Sequence, residues 1–256
     1  LNEKGHYAGY LELENFDLGA YYHTSQVGSV SANLDIHGEG LALSEMKVEL
    51  DGDISAMELL DYNYRDISVS GLLENRAFIG DVVVNDPNAD LIFSGGIDFK
   101  REMPELKCDL TVHSANLKSL GILGQWPYSN ISGTAQLNTV GIKMDEFQGE
   151  LILSDVSYCT DKGDYILDYL SLDVTRDNGL KVLLNSDIAM GELSGDFNLK
   201  DVALAIEDIV FSVVPRSDVV VRQHELQKFS LVVDVLDFSQ ISAAFNLNVG
   251  MSQNAR

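Results

Sequence analysis

NDPNADLIFSGGIDF, residues 85–99, predicts a tight turn that leads directly into a β-strand. In its first half, Asp86-Pro87-Asn88 joins a proline, whose ring holds φ at about −65°, to residues that tolerate tight turns. In its second half the side chains alternate, so that Ala89, Leu91, Phe93, Ile97 and Phe99 fall on one face and Asp90, Ser94 and Asp98 on the other. Successive side chains of a strand point to opposite faces, so this strand has one buried and one solvated face. Gly95-Gly96 predicts a bulge or sharp bend where a side chain would not fit.

The same alternation recurs along most of the chain and predicts further strands. It is found at Tyr7–Leu18, Val30–His37, Val48–Leu50, Ile67–Val69, Phe78–Val84, Leu106–Val112, Phe229–Val235 and Phe245–Val249. Asp51-Gly52-Asp53 is typical of a hairpin turn between two of these strands. The pattern predicts an all-β fold, an elongated and curled antiparallel sheet that forms an apolar groove, with one or two short helices.

Two segments depart from the strand period and predict helix. Asn116–Leu123 places Leu117 and Leu120 at helical spacing, with Ser114 or Asn116 as the cap. Asp201–Val214 has an apolar stripe, an aspartate able to cap its first turn, and Pro215 after its end. We expect the second helix to be largely buried at one end of the sheet.

The layout of strands recurs after Trp126-Pro127-Tyr128. Four segment pairs share a pattern: Val27–Gly38 with Asn130–Gly141, Leu50–Ser55 with Phe147–Leu153, Ile67–Ser70 with Leu170–Asp173, and Asn85–Phe99 with Asn185–Leu199. Such a period predicts sheet units stacked end to end. We expect a first repeat at 1–126, a second at 127–214 and C-terminal strands at 215–256, all in one continuous unit. Met190-Gly191 replaces Asp90-Leu91, so the strand of the second repeat is expected to start later.

Composition limits the classes of partner. The chain has 256 residues, 45% of them hydrophobic, which is enough apolar material for a long core. Lys and Arg number 17 against 40 Asp and Glu, and the formal net charge of −23 argues against nucleic acid and against docking on anionic membranes. Cys108 and Cys159 form no CxxC motif; we expect two isolated buried thiols, with a single disulfide as the alternative. No apolar run is long enough for a membrane span.

The sequence lacks the motifs of the common catalytic and metal sites. There is no nucleophile elbow, P-loop, HExxH or dinucleotide-binding glycine motif. The five histidines are scattered, and the carboxylates near Asp51 and Asp86 lack the spacing of a calcium loop. We therefore expect no enzyme, no catalytic residue, no metal and no cofactor other than a bound phospholipid or fatty acid.

The apolar stripe is the remaining candidate site. Strands with one apolar face either fold on themselves as a sandwich or curl into a groove with an apolar inside and an acidic outside. An apolar groove needs a guest such as a lipid chain. By alternation, the residues expected to line it are Leu91, Phe93, Ile97, Phe99, Leu193, Phe197 and Leu199.

DPNADLIFSGGIDF, followed by CDLTVHSANLKSLGIL, resembles the AsmA/TamB-like proteins, in particular the large forms of Bacteroidetes-type bacteria. NSDIAMGELSGDFNLKDV and FSLVVDVLD fit the same pattern, and the likeness covers residues 27–250. It implies a β-taco-like groove in the periplasmic segment of an inner-membrane-anchored protein, with the anchor outside this chain.

The resemblance also implies a function, namely phospholipid transport between the inner and outer membranes or assistance to outer-membrane protein assembly. The implied partners are lipid acyl chains and, for the longer protein, an outer-membrane β-barrel protein. Two other classes stay open. One is a non-catalytic structural or chaperone module that pairs with client strands at its sheet edges. The other is a surface glycan-binding β-sandwich, for which Tyr7, Tyr10, Tyr21, Tyr22, Tyr62 and Tyr64 are the candidate contacts.

Overall fold

A computed structural model describes residues 5–22, 27–40, 42, 44–121, 129–141, 146–161, 163–177, 179–199 and 228–237. Its strands are β1 (Tyr7–Asp17), β2 (Val27–Glu39), β3 (Lys47–Leu59), β4 (Tyr62–Glu74), β5 (Ala77–Asp86), β6 (Ala89–Asp98), β7 (Glu105–Asn116), β8 (Ser129–Val140), β9 (Gln148–Thr160), β10 (Gly163–Thr175), β11 (Leu180–Ser186), β12 (Ala189–Asp196) and β13 (Lys228–Val235). One five-residue helix, α1 (Leu18–Tyr22), follows β1. The predicted helix at 201–214 and the strand at 245–249 lie outside the described residues.

All 13 strands form one antiparallel sheet in which each strand pairs with its neighbours in the sequence. The sheet is curled and does not close into a barrel, as expected for a twisted sheet of more than about 10 strands. Apart from neighbouring strands, and α1 against β2, the described elements share no more than marginal contacts. The described residues therefore form the expected all-β groove-like sheet, and they do not form the closed sandwich that alternation also allowed.

Register across the strands gives the sheet two chemically different faces. One row of directly paired residues crosses ten strands, and it is apolar or glycine throughout: Leu11, Leu34, Gly52, Val69, Val82, Phe93, Leu110, Ala135, Leu153 and Leu170. We call this the central row and its side of the sheet the apolar face. The adjacent row on the other side contains Asp35, Asp51, Ser70, Asp81, Ser94, Asp109 and Gln136. We call that side the acidic face.

The hairpin at residues 85–99 has the predicted turn and alternation, but not the predicted bulge at Gly95-Gly96. β5 and β6 pair without a register shift, and the shift between β6 and β7 lies at Asp90/Leu91. Gly95 has φ +150°, and a Cβ there would stand 2.5 Å from the Cα of Cys108. A side chain does not fit because the neighbouring backbone is close, and β6 continues through the site without interruption.

Two further local predictions are wrong. Asp51-Gly52-Asp53 is not a hairpin turn, because β3 runs without interruption from Lys47 to Leu59. The strand of the second repeat does not start later, because β12 begins at Ala189 just as β6 begins at Ala89. The helical turn after β7 does form, and its cap is Asn116. The Asn116 side-chain oxygen accepts a hydrogen bond from the Ser119 backbone N–H at 3.0 Å.

The two halves of the sheet share local structure. Gly52, Val69, Val82 and Phe93 are successive partners across β3–β6, and Gly149, Val174, Val182 and Leu193 are successive partners across β9–β12. Gly195 has φ +152°, close to the +150° of Gly95. The pairing places residues 85–99 and 185–199 in equivalent positions. The domain boundaries expected from the repeat stay a prediction.

Candidate functional site

The seven predicted groove residues lie in three different environments. Leu91, Phe93 and Ile97 are half-buried on the apolar face of β6. Phe99 lies beyond the end of β6 and is 43% exposed. Leu193 and Phe197 are only 8% and 9% exposed, and Leu199 packs against them. Alternation therefore assigned the face correctly within β6 and β12, but it could not tell which of these residues have accessible surface.

The helical turn that follows β7 covers the apolar face beside the end of that strand. Leu120 is buried there with Ile67, Val84, Ala89 and Ala115. Leu117, Leu91 and Val112 pack around this group. Leu91 is thus held in a packed cluster at the border of the face.

A second cluster covers the face near β10–β13. Val174, Leu180, Leu193 and Phe197 are buried together, and Phe147, Leu172, Val182, Leu199 and Phe229 pack against them. The Phe197 and Phe229 rings meet edge to face, with centroids 6.1 Å apart. These side chains form a closed core, so Leu193 and Phe197 offer little surface to a ligand.

Between the two clusters the apolar face is open. All ten residues of the central row are half-buried, and none is buried. No described element lies over them. The central row spans nine strand spacings from β1 to β10, which at about 4.8 Å each makes about 43 Å. The open part of the face is therefore long, continuous and apolar.

A row of glycines next to the central row shapes the floor of this face. Gly71, Gly80 and Gly95 are direct partners on β4, β5 and β6. A Cβ at Gly71 would stand 2.8 Å from the Phe78 ring, and one at Gly80 would stand 3.0 Å from the same ring. Phe78 therefore lies over two glycines and fills the space that side chains would otherwise take. Single-strand alternation missed this arrangement because it depends on register across three strands.

Cys108 continues the glycine row on β7, where Gly95 is its partner. It is 8% exposed, and burial together with the nearby Asp109 carboxylate raises the pKa of its thiol. Cys159 is half-buried. Both cysteines are free, as predicted, although only Cys108 is fully buried.

A concavity of about 1010 Å³ opens on the acidic face near the ends of β4–β9. Its lining includes Ile79, Gly96, Lys107 and Glu150, which alternate with the apolar-face residues. Of the seven predicted groove residues, Ile97 alone contributes to it. This concavity and the apolar face are therefore two distinct features.

The two long edges of the sheet differ in the number of cations that they carry. At one edge, which we call the aspartate edge, the short turns contain Asp61, Pro87-Asn88, Asp161 and Asp187. At the other, which we call the arginine edge, the connections contain Asn75-Arg76, Lys100-Arg101 and Arg176-Asp177. Eight of the ten described Lys and Arg residues lie at or beside the arginine edge: Lys47, Arg76, Lys100, Arg101, Lys107, Arg176, Lys181 and Lys228.

Within the described ranges, no three His, Cys, Asp or Glu side chains come together as a metal site. The same part of the chain contains no helix that is both long and apolar enough to span a membrane. No protein-family model, no curated protein and no solved structure matches this chain.

Proposed function

We propose that the chain is a section of a lipid conduit that holds phospholipid acyl chains along its apolar face. The observation that carries the proposal is the central row, which is apolar across ten strands and half-buried throughout. An apolar surface of this length is unfavourable in water and is a usual sign of a binding surface.

The dimensions of the face support acyl chains as the guest. The hydrocarbon core of a bilayer is about 30 Å thick, so one leaflet contributes about 15 Å of chain. The central row, about 43 Å long from the strand spacing, accommodates two such chains placed end to end. The face has few polar groups, so binding would depend on chain length more than on chain identity.

The resemblance to AsmA/TamB-like proteins gives the proposal its setting. By that resemblance the chain would be a periplasmic segment of an inner-membrane-anchored protein that moves phospholipid between the two membranes or assists outer-membrane protein assembly. An outer-membrane β-barrel protein would be the partner of the longer protein. The acidic face, with Asp35, Asp51 and Asp109, would keep the outside of such a conduit solvated.

The test is native mass spectrometry of detergent-free protein, with lipid extraction from the same sample. Two adjacent residues of β6 provide a matched pair, because Phe93 lies on the apolar face and Ile92 on the acidic face, 38% exposed. We expect Phe93→Asp to lose bound lipid and Ile92→Asp to retain it. Phe197 is unsuitable for this purpose, because its side chain is 9% exposed and belongs to a closed cluster.

A second variant separates a loss of lipid binding from a loss of folding. Val82→Thr introduces a hydroxyl into the central row with little change in shape, and we expect it to weaken lipid binding while the protein stays folded by circular dichroism. Folded, lipid-free wild-type protein that takes up no phospholipid from vesicles would contradict the proposal. Equal retention of lipid by the Phe93 and Ile92 variants would contradict it as well.

A further inference from the structure

The arginine edge has a cluster of cations where the apolar face ends. The turn between β4 and β5 and the loop between β6 and β7 lie side by side, because the Phe99 backbone N–H donates a hydrogen bond of 3.0 Å to the Arg76 carbonyl oxygen. This contact places Arg76 in the same stretch of edge as Lys100 and Arg101. All three residues are exposed.

These cations adjoin exposed apolar side chains. Phe78 and Ile97 are partners in the last apolar row before this edge. Phe99 and Met103 lie beyond it and are 43% and 42% exposed. An amphiphile on the apolar face would therefore have apolar contacts up to the cluster and cationic contacts at it.

The cations are available for an anionic ligand. Lys100 lies 3.8 Å from Asp98, and Arg101 forms an ion pair of 2.5 Å with Glu105 while its side chain is 77% exposed. Exposed ion pairs contribute little to stability, so exchange for another anion costs little. Arg76 forms no ion pair with any other described residue. Guanidinium groups match the geometry of phosphate oxygens and bind them in a bidentate manner.

The two edges of the sheet differ in where their cations lie. At the opposite edge the turn residues Asp61, Asp161 and Asp187 are acidic, and carboxylates there would repel a phosphate. The position of the cations at one edge therefore gives a bound phospholipid a direction.

We infer that Arg76, Lys100 and Arg101 form a binding site for the phosphodiester headgroup of a lipid whose acyl chain lies on the apolar face. The inference rests on the proposed function and adds a residue-level site and an orientation to it. The phosphate oxygens accept hydrogen bonds from the two guanidinium groups and the ammonium group, and the chain runs from Ile97 toward the central row.

The experiment compares two ligands that share one acyl chain, lysophosphatidylcholine and monoacylglycerol. Binding of each to the wild-type protein and to Arg76→Gln/Lys100→Gln/Arg101→Gln is measured by isothermal titration. Arg65→Gln/Lys118→Gln, which removes the two described cations near the aspartate edge, serves as the control. Circular dichroism checks that every variant is folded.

We expect the triple variant to lose about tenfold in affinity for lysophosphatidylcholine, as for the loss of one hydrogen bond to a charged group, and to bind monoacylglycerol unchanged. The control should bind both ligands as the wild type does. If both ligands bind equally well to the wild type and the triple variant, the inference fails while the proposed function stands. If neither ligand binds to the folded wild type, the proposed function fails and the headgroup site with it.

Discussion

Asp86→Ala should open the β5–β6 hairpin, because this carboxylate is the buried anchor of its turn. Asp86 is 4% exposed and accepts three hydrogen bonds. They come from the Tyr62 hydroxyl at 2.6 Å, the Asn88 backbone N–H at 2.8 Å and the Arg65 backbone N–H at 3.1 Å. The substitution leaves these donors without their acceptor.

The expected magnitude follows from these three bonds. A hydrogen bond to a charged group contributes about 1.5–3 kcal/mol, and water that enters the site recovers part of that. We expect a loss of about 3–4 kcal/mol in the local opening free energy. The matched position in the second repeat is Ser186, whose neutral hydroxyl accepts from the Ile188 and Ala189 backbone N–H groups at 3.2 and 2.9 Å. Ser186→Ala should cost about 1–2 kcal/mol, because neutral bonds are weaker.

The assay is native-state hydrogen exchange, which measures the opening of each hairpin separately. Asp86→Ala should accelerate exchange of the β5 and β6 amides about 100-fold or more, and Ser186→Ala should accelerate the β11 and β12 amides by about tenfold. Each substitution should leave the other hairpin unchanged, because the two are six strands apart. The reasoning is refuted if the two substitutions have equal effects, or if the exchange rate near Asp86 does not change.

Three further predictions concern single positions. Gly95→Ala should destabilise the protein by about 2–4 kcal/mol, because its Cβ would meet the Cys108 Cα. At Gly96 the nearest atom would be 3.1 Å from the Cβ, so Gly96→Ala should cost less. Equal losses of stability for the two variants in urea unfolding would contradict this. Leu60 has φ +52°, which is unfavourable for a residue with a Cβ, and its side chain is 62% exposed. Leu60→Gly should therefore stabilise the protein by about 0.5–1 kcal/mol, whereas Leu60→Ala should not. Thermal unfolding of the two variants measures the difference. Burial raises the pKa of Cys108, so the neutral thiol's contribution to folding stability is complete below the pKa of the unfolded thiol, about 8.5, and is lost as pH rises through the higher folded value. Between about pH 7.5 and 9.5, the free energy of unfolding of Cys108→Ala should therefore fall less with rising pH than that of the wild type.

Alternation within single strands predicted the fold class and the faces of most strands, because the period of a strand is a local property of the sequence. The same applies to the turn at Asp86-Pro87-Asn88 and to the Asn116 cap. The error at Asp51-Gly52-Asp53 shows where local chemistry is insufficient. A glycine is required at position 52 by the neighbouring strand, because a Cβ there would meet the Asn33 carbonyl oxygen and stand 3.0 Å from the Leu34 Cα. A glycine required by close packing across strands has the same local sequence as a glycine in a turn.

The site was predictable only as far as a face. Phe93 and Phe197 have the same alternation, yet Phe93 is half-buried on the open part of the face and Phe197 is in a closed cluster. Their difference is set by Phe229, whose ring on the neighbouring strand β13 meets the Phe197 ring, and by Phe147, which packs against the same cluster. The cations Arg76 and Lys100 are likewise neighbours only because two connections share one edge.

An alignment of the two repeats that is wrong by two residues still assigns each side chain to the correct face of the sheet. The sequence match paired Val69 with Leu172, whereas the ladders make Val69 equivalent to Val174, two residues further on. A shift of two residues moves a side chain by about 7 Å along the strand and leaves it on the same face. An insertion of two residues in a turn therefore preserves the apolar face, but it moves the end of a strand relative to the edge. Acyl contacts along the face should tolerate such changes, while a headgroup site at the arginine edge requires that the lengths of the β4–β5 and β6–β7 connections stay fixed.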